Sequence, residues 1–160
     1  MNASPEAIAT AFHEAGHAVM ALLLGRPVHR VSVAPNHLRL GQCEFTKGAF
    51  RPTQDEVERA MLILLAGLAA EARRTGSYAW EAAEHDLYEV RSLSRGRTAD
   101  ERKADRLERR MLDKTEHLFD RPGVWTATER IAEELLRRPT ISGRAARHLF
   151  DQAIAQAEGG

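Results

Sequence analysis

The chain has one cysteine, Cys43, no excess of either charge and no long apolar run. A single cysteine excludes an internal disulfide and is compatible with a reducing compartment. Lysine plus arginine number 23, as do aspartate plus glutamate, so the charge balance gives no case for a nucleic-acid or anionic-membrane partner. The two most apolar runs, Ala18 to Leu24 and Ala60 to Ala70, are too short to span a bilayer, and no membrane span is expected. No basic region precedes an apolar one near Met1, so no signal peptide is read and a cytoplasmic location is the expectation. There is no Gly-x-x-x-x-Gly-Lys phosphate loop, no internal repeat and no low-complexity tract. The 160 residues suit a single domain with a real core.

What is present is concentrated in Ala11-Phe12-His13-Glu14-Ala15-Gly16-His17-Ala18. Positions four apart on a helix lie about 40° apart around the axis, so His13 and His17 share a face. Two imidazoles at that spacing can grip one metal ion, and Glu14 is placed to take a proton from water held there. This is the signature of a zinc peptidase. The surrounding helix is apolar nearly all round and should be buried. Two histidines and a glutamate in such a helix are costly unless each has a partner. A metal would serve both rings at once; two core histidines hydrogen-bonded to carbonyls are the other solution.

The spacing predicts mostly helix around a small hairpin. Ser4 should cap a first helix with Pro5 in its first turn, running to about Leu24, where Gly25 and Pro27 stop it. Val28 to Ala34 reads as an alternating strand ended by Pro35, and a turn at Asn36-His37 leads to a second strand over about Leu38 to Thr46. This hairpin could add an extended substrate to its edge, or be a structural cover for the core. After a loop over Lys47 to Pro52, Thr53-Gln54-Asp55-Glu56 is a capping box for a second helix. That helix is apolar on every face and suited to close packing through Ala66, Gly67, Ala69 and Ala70. Glu71 at its end could hold a ligand histidine from behind, or could be a solvated helix end. Gly76 ends it. Capping boxes at Thr98 and Thr126, and Ser142, should open three more helices, the first of them solvated and laced with ion pairs. His117 and His148 read as ordinary helix residues.

The third metal ligand can be sought on the helix expected over Ala79 to Ser94. With Ala79 at zero and about 100° per residue, Trp80, Ala82, Ala83, Leu87, Val90 and Leu93 fall in one apolar arc. Glu84 falls near about 140° and His85 near about 240°, outside the arc, whereas Asp86 falls near about 340°, inside it. An acid aimed into an apolar face needs a counter-charge or a metal. Asp86 is therefore the expected third ligand; pairing with an arginine is the alternative.

These residues resemble a known family. Phe12-His13-Glu14-Ala15-Gly16-His17-Ala18-Val19, followed by Pro27-Val28-His29-Arg30-Val31-Ser32, is similar to the opening of the peptidase domain of FtsH-type ATP-dependent zinc metalloproteases. Ala66-Gly67-Leu68-Ala69-Ala70-Glu71 resembles that family's Gly-Gly-Arg-Ala-Ala-Glu helix, and His85-Asp86-Leu87 its Asn-Asp-Leu segment. Ile131 to Phe150 resembles the end of that domain. The resemblance implies a mostly α, helical zinc-peptidase fold with His13, His17 and Asp86 as Zn²⁺ ligands and Glu14 as catalytic base. Leu68 and Ala66 depart from the family's arginine and glycine, and the family's ATPase module and membrane helices have no counterpart in this sequence. The implied activity is hydrolysis of peptides or unfolded proteins by a stand-alone peptidase domain, with an ATPase in trans and a homo-oligomer as the implied partners. A catalytically silent zinc-binding module, or a regulatory subunit of an ATP-dependent protease, is the alternative.

Overall fold

A computed structural model of the chain describes residues 3–34, 42–45 and 54–159. The described elements follow the order α1 (Pro5–Leu23), β1 (Val28–Ser32), β2 (Gln42–Phe45), α2 (Gln54–Thr75), α3 (Glu84–Arg97), α4 (Glu101–Leu118), α5 (Val124–Arg137), β3 (Thr140–Ser142) and α6 (Gly143–Gly159). The fold is mostly α, as expected. The turn at Asn36-His37, the first residues of the second strand, the loop over Lys47 to Pro52 and the Thr53 cap lie outside the described residues. No helix among the described residues is long and apolar enough to cross a membrane.

The first helix starts and stops where its end residues dictate. The Ser4 hydroxyl accepts from the Ala7 N–H at 3.1 Å, a cap that contributes about 1 kcal/mol. Past the other end, Gly25 adopts φ 81°, and after α2 Gly76 adopts φ 94°, the left-handed conformation that glycine takes without penalty. Between its ends α1 is buried from Ala11 through Leu22, which matches its apolar circumference. It lies against α2, which is buried from Met61 to Glu71 apart from Leu64. Contacts between the two run in opposite chain order, His17 meeting Ile63, Gly16 meeting Ala66 and Ala70 and His13 meeting Glu71, so the helices are antiparallel. Their closeness is set by glycine: a Cβ on Gly16 would stand 2.5 Å from the Ala66 carbonyl oxygen and 2.6 Å from the Ala70 Cβ.

The sheet differs from the expected hairpin in two ways. Its order is β2-β1-β3, with β1 pairing antiparallel to both neighbours. The third strand follows Pro139 and was not anticipated between the last two helices. The Ser142 hydroxyl still accepts from the Ala145 N–H at 3.0 Å, so the same residue ends β3 and caps α6. The second difference lies within β1. Val28 and Val31 are both buried, although residues three apart point to opposite faces of a regular strand. The pairing register shifts between Val28 and Arg30, and this irregularity turns both valines inward in place of simple alternation.

Three helix starts also move. Helix α3 begins at Glu84, and turns cover Trp80 to Ala83. Trp80 consequently leaves the apolar arc: it is 51% exposed and stacks on Tyr78 at 4.9 Å, while Tyr78 donates to Glu116 of α4. The cap of α4 is Asp100, whose carboxylate accepts from the Arg102 and Lys103 N–H groups. Thr98 instead accepts from the Asp100 N–H. Helix α5 starts two residues before Thr126, after Gly123 at φ 83°. Helix α4 buries one stripe, Ala104, Leu107, Met111 and Thr115. Its acids pin α3: Arg91 meets Glu101 at 2.8 Å, Asp105 at 2.5 Å and Glu108 at 2.6 Å, and Ser94 donates to Glu108 at 2.5 Å. That network fixes the helix carrying Asp86. His117 and His148 are exposed helix residues.

Candidate metal centre

Three of the residues singled out by the sequence come together at the contact of α1, α2 and α3. The side-chain donor atoms of His13, His17 and Asp86 all lie within 4.8 Å of one another, and all three residues are buried. Asp86 Oδ2 is 3.0 Å from His13 Nε2 and 3.1 Å from His17 Nε2. Glu84 and His85, the rival candidates beside it, are exposed; His85 pairs with Glu89 at 3.0 Å. The position of Asp86 follows from helical phase. Although α3 starts later than expected, Asp86, Val90 and Ser94 are its buried residues, four apart along one face.

The far side of each imidazole is also engaged. His17 Nδ1 donates to the Ile63 carbonyl oxygen at 2.7 Å. His13 Nδ1 is 3.5 Å from Glu71 Oε1, and Glu71 is buried. The end of α2 is thus no solvated terminus at this residue. A carbonyl or carboxylate behind an imidazole fixes its tautomer and turns its other nitrogen toward the centre of the site. Glu14 is buried beside His13 on α1.

This arrangement calls for a cation. A neutral imidazole that donates through Nδ1 has only a lone pair at Nε2. His17 would then set that lone pair 3.1 Å from a carboxylate oxygen, acceptor against acceptor. His13 faces a carboxylate on each side. Burial by itself would lower the His13 pKa, but hydrogen bonds to Asp86 and Glu71 and the charge of Glu14 raise it from 6.5 to about 10. Burial would likewise raise Asp86, yet the charge of His17 and the hydrogen bonds from both rings hold its carboxyl far below the usual range. The site therefore favours positive charge between these three groups, and one metal ion would satisfy them together.

The residues fit such an ion. Two nitrogens and one oxygen suit a tetrahedral metal with bonds of about 2.0–2.1 Å, whose ligand atoms stand about 3.3 Å apart. The two contacts to Asp86 Oδ2, at 3.0 and 3.1 Å, are close to that separation. Space is kept by Gly67 of α2. A Cβ there would lie 2.5 Å from His17 Nε2 and 2.7 Å from His13 Nε2, on the donor atoms themselves. From the sequence Gly67 had only a packing role and the Ile63 carbonyl had none. An isolated glycine inside an apolar helix was the one available signal.

A comparison with known families finds that the model described as "Peptidase family M41" matches residues 2–119, which include α1 through α4 and every residue of this cluster. No curated protein matches the chain.

Proposed function

We propose that this chain, which belongs to peptidase family M41, the metallopeptidase family of the FtsH-type peptidase domain, is a zinc-dependent endopeptidase. Its substrates are peptides or unfolded chains, with unfolding supplied by an ATPase in trans. His13 and His17 through Nε2, and Asp86 through Oδ2, would hold the ion. Bound there, zinc would supply Lewis acidity, polarising a peptide carbonyl and lowering the pKa of water from about 15.7 to about 7. The chain's own groups do the rest. The Ile63 carbonyl and Glu71 hold the two rings in orientation. Glu14 accepts the proton that water loses as it adds to the carbonyl carbon. It then delivers that proton to the amine nitrogen as the C–N bond breaks. Gly67 keeps α2 clear of the reacting centre. Strand β2 lies at the edge of the sheet, where an extended substrate can add as a further strand.

The observation that carries this reading is the convergence of three buried donor atoms, in which the lone pairs of two neutral imidazoles would face an ionised carboxylate with no proton between them. A site meant only to hold the chain together would not need a buried glutamate next to the first ligand. The test is Glu14→Gln, with zinc measured by elemental analysis and cleavage followed on casein or an internally quenched peptide. Zinc should stay at one equivalent while kcat falls about 10²- to 10⁴-fold, the usual contribution of a general base. Undiminished cleavage would remove Glu14 from the mechanism.

A further inference from the structure

We propose that the cleft between the C-terminal ends of α2 and α4 binds an arginine side chain presented by a second polypeptide. The cleft has a volume of about 310 Å³, and α2 lines it with Ala69, Ala72 and Arg73. With Ala69 at zero and about 100° per residue, Ala72 falls near about 300° and Arg73 near about 40°. Gly67 and Glu71, which meet the histidines, fall near about 160° and about 200°. The cleft and the metal centre therefore occupy opposite faces of α2, and the proposal stands apart from the peptidase reading.

The lining suits a cation on an apolar stem. Ala69, Ala72 and the buried Phe119 supply apolar surface. Tyr78 supplies an aromatic wall, held by Trp80, which stacks on its ring at 4.9 Å and 17°. Both helices end here: α2 closes at Thr75, just before Gly76, and α4 at Leu118, just before Phe119. Each helix C-terminus carries about half a negative charge, and Glu116 and Asp120 add two carboxylates. Arg73, the one cation of the lining, is held 2.7 Å from Asp120 and lies over the Trp125 ring at 4.6 Å. Glu116 accepts the Tyr78 hydroxyl and forms no ion pair among the described residues. Burial, the Glu116 hydrogen bond and the charges of Glu116 and Asp113 push that phenol up to about 12, a sign of the same negative surroundings. A guanidinium lies flat on an aromatic ring and forks toward a carboxylate, while its methylene stem covers apolar surface. The surface beyond the mouth fits a polypeptide as its carrier. Trp80 and Tyr88, at 51% and 72%, are the large hydrophobic side chains left exposed among the described residues. Glu84 and Tyr88, four apart on α3, share one face, and Trp80 precedes them in the turns that enter the helix. From Ser77 to Val90 the acids are Glu81, Glu84, Asp86 and Glu89, with no lysine or arginine. A chain with further basic residues can run from the cleft along this face, whereas a free guanidine fills the cleft alone.

The test uses short labelled peptides of glycine and serine with one central arginine and a lysine on either side. Counterparts carry citrulline or lysine in place of that arginine. Binding is read by fluorescence anisotropy on the full chain carrying Glu14→Gln, so that no peptide is cut. Citrulline, neutral and of the same shape, should weaken binding about 10- to 100-fold, the range for a hydrogen-bonded charge. Lysine should fall between the two. Glu116→Gln, on an exposed residue, retains the contact to Tyr78 without the charge and should bring arginine and citrulline to within about threefold of each other. Ala72→Leu, which fills the cleft and leaves every charge in place, should do the same, with circular dichroism showing an intact fold. Argininamide, a free guanidine, should compete at least about 10-fold more weakly than the arginine peptide, since it does not reach Trp80 and Tyr88. Equal binding of the arginine and citrulline peptides, or an arginine preference that survives Glu116→Gln, overturns the pocket. Argininamide that competes as well as the peptide overturns the polypeptide as its occupant.

Discussion

Replacing Gly67 by alanine sets two effects of opposite sign against each other. Inside an exposed helix the change should stabilise the protein, since glycine is about 0.8–1.0 kcal/mol worse than alanine there. That gain arises mainly from a narrower unfolded ensemble. Here the new methyl would stand 2.5 Å from His17 Nε2, 2.7 Å from His13 Nε2 and 2.8 Å from His13 Cδ2. Non-bonded heavy atoms rest at about 3.5–4.0 Å, so each ring or the α2 backbone must give by about 1 Å. Overpacking of that kind costs about 1–3 kcal/mol, enough to cancel the helical gain. The metal-free protein should therefore lose between nothing and about 2 kcal/mol.

Zinc binding has no such compensation. Metal–ligand distances tolerate about ±0.2 Å, and a displacement of about 1 Å would affect two of the three proposed ligands. Loss of a supporting contact alone lowers metal affinity about 10- to 100-fold, and direct collision with both donor nitrogens should reach at least the upper figure. A 100-fold weaker affinity is about 2.7 kcal/mol of lost zinc-dependent stabilisation. At about 2–4 °C per kcal/mol for a chain of this size, the rise in melting temperature on adding zinc should shrink by about 5–11 °C. Competition with a chromophoric chelator gives the affinity, and calorimetry with and without zinc gives the melting shift. A Gly67→Ala protein that binds zinc as tightly as the parent would refute the placement of the ion between the three side chains.

Two further substitutions bear on the same centre. Asp86→Ala should lower zinc occupancy by at least about 100-fold in affinity, whereas Glu84→Ala and His85→Ala, on exposed side chains, should leave it within about threefold; dialysis against buffered zinc and elemental analysis would show the order, and the reverse order would reject Asp86 as ligand. Glu71→Gln keeps the shape of the side chain and removes its charge, so zinc affinity should fall about 10- to 100-fold with the fold intact; unchanged affinity would mean that the 3.5 Å approach to His13 does not orient the ring.

The sequence made the long, strongly patterned elements legible and missed those whose causes are not local. Ser4 and Pro5 at one end and Gly25 at the other lie at the very ends of α1, so its bounds could be read directly. The start of α3 could not. Ala79 to Ala83 carries the same apolar spacing as the helix after it, yet Tyr78 reaches across to Glu116 of α4 and draws the segment into turns that leave Trp80 in solvent. Strand β3 is three residues long, and its side-chain partner Ser32 lies 108 positions from Thr140; nothing near Pro139 announces it. At α4 two acceptable caps, Thr98 and Asp100, lie two residues apart. A carboxylate gains more from the helix dipole than a hydroxyl does, and Asp100 takes the cap.

The candidate site divides along a different line. His13, Glu14, His17 and Asp86 could be picked out because polar groups in an apolar setting are expensive, and an expense in the sequence demands a reason. Phase alone was enough for Asp86: moving the start of α3 by five residues leaves the angle between Asp86 and Val90 unchanged, so both stay on the buried face. Gly67 and Ile63 follow no such rule. Gly67 matters through the side chain it lacks, and Ile63 through a carbonyl that every residue has. Their roles arise only when α2 runs antiparallel to α1 at the spacing that Gly16 permits. Close packing of two helices then brings the same few residues to bear on both stability and metal affinity, which is why a methyl group at position 67 should be partly compensated in the metal-free protein and severe once zinc is required.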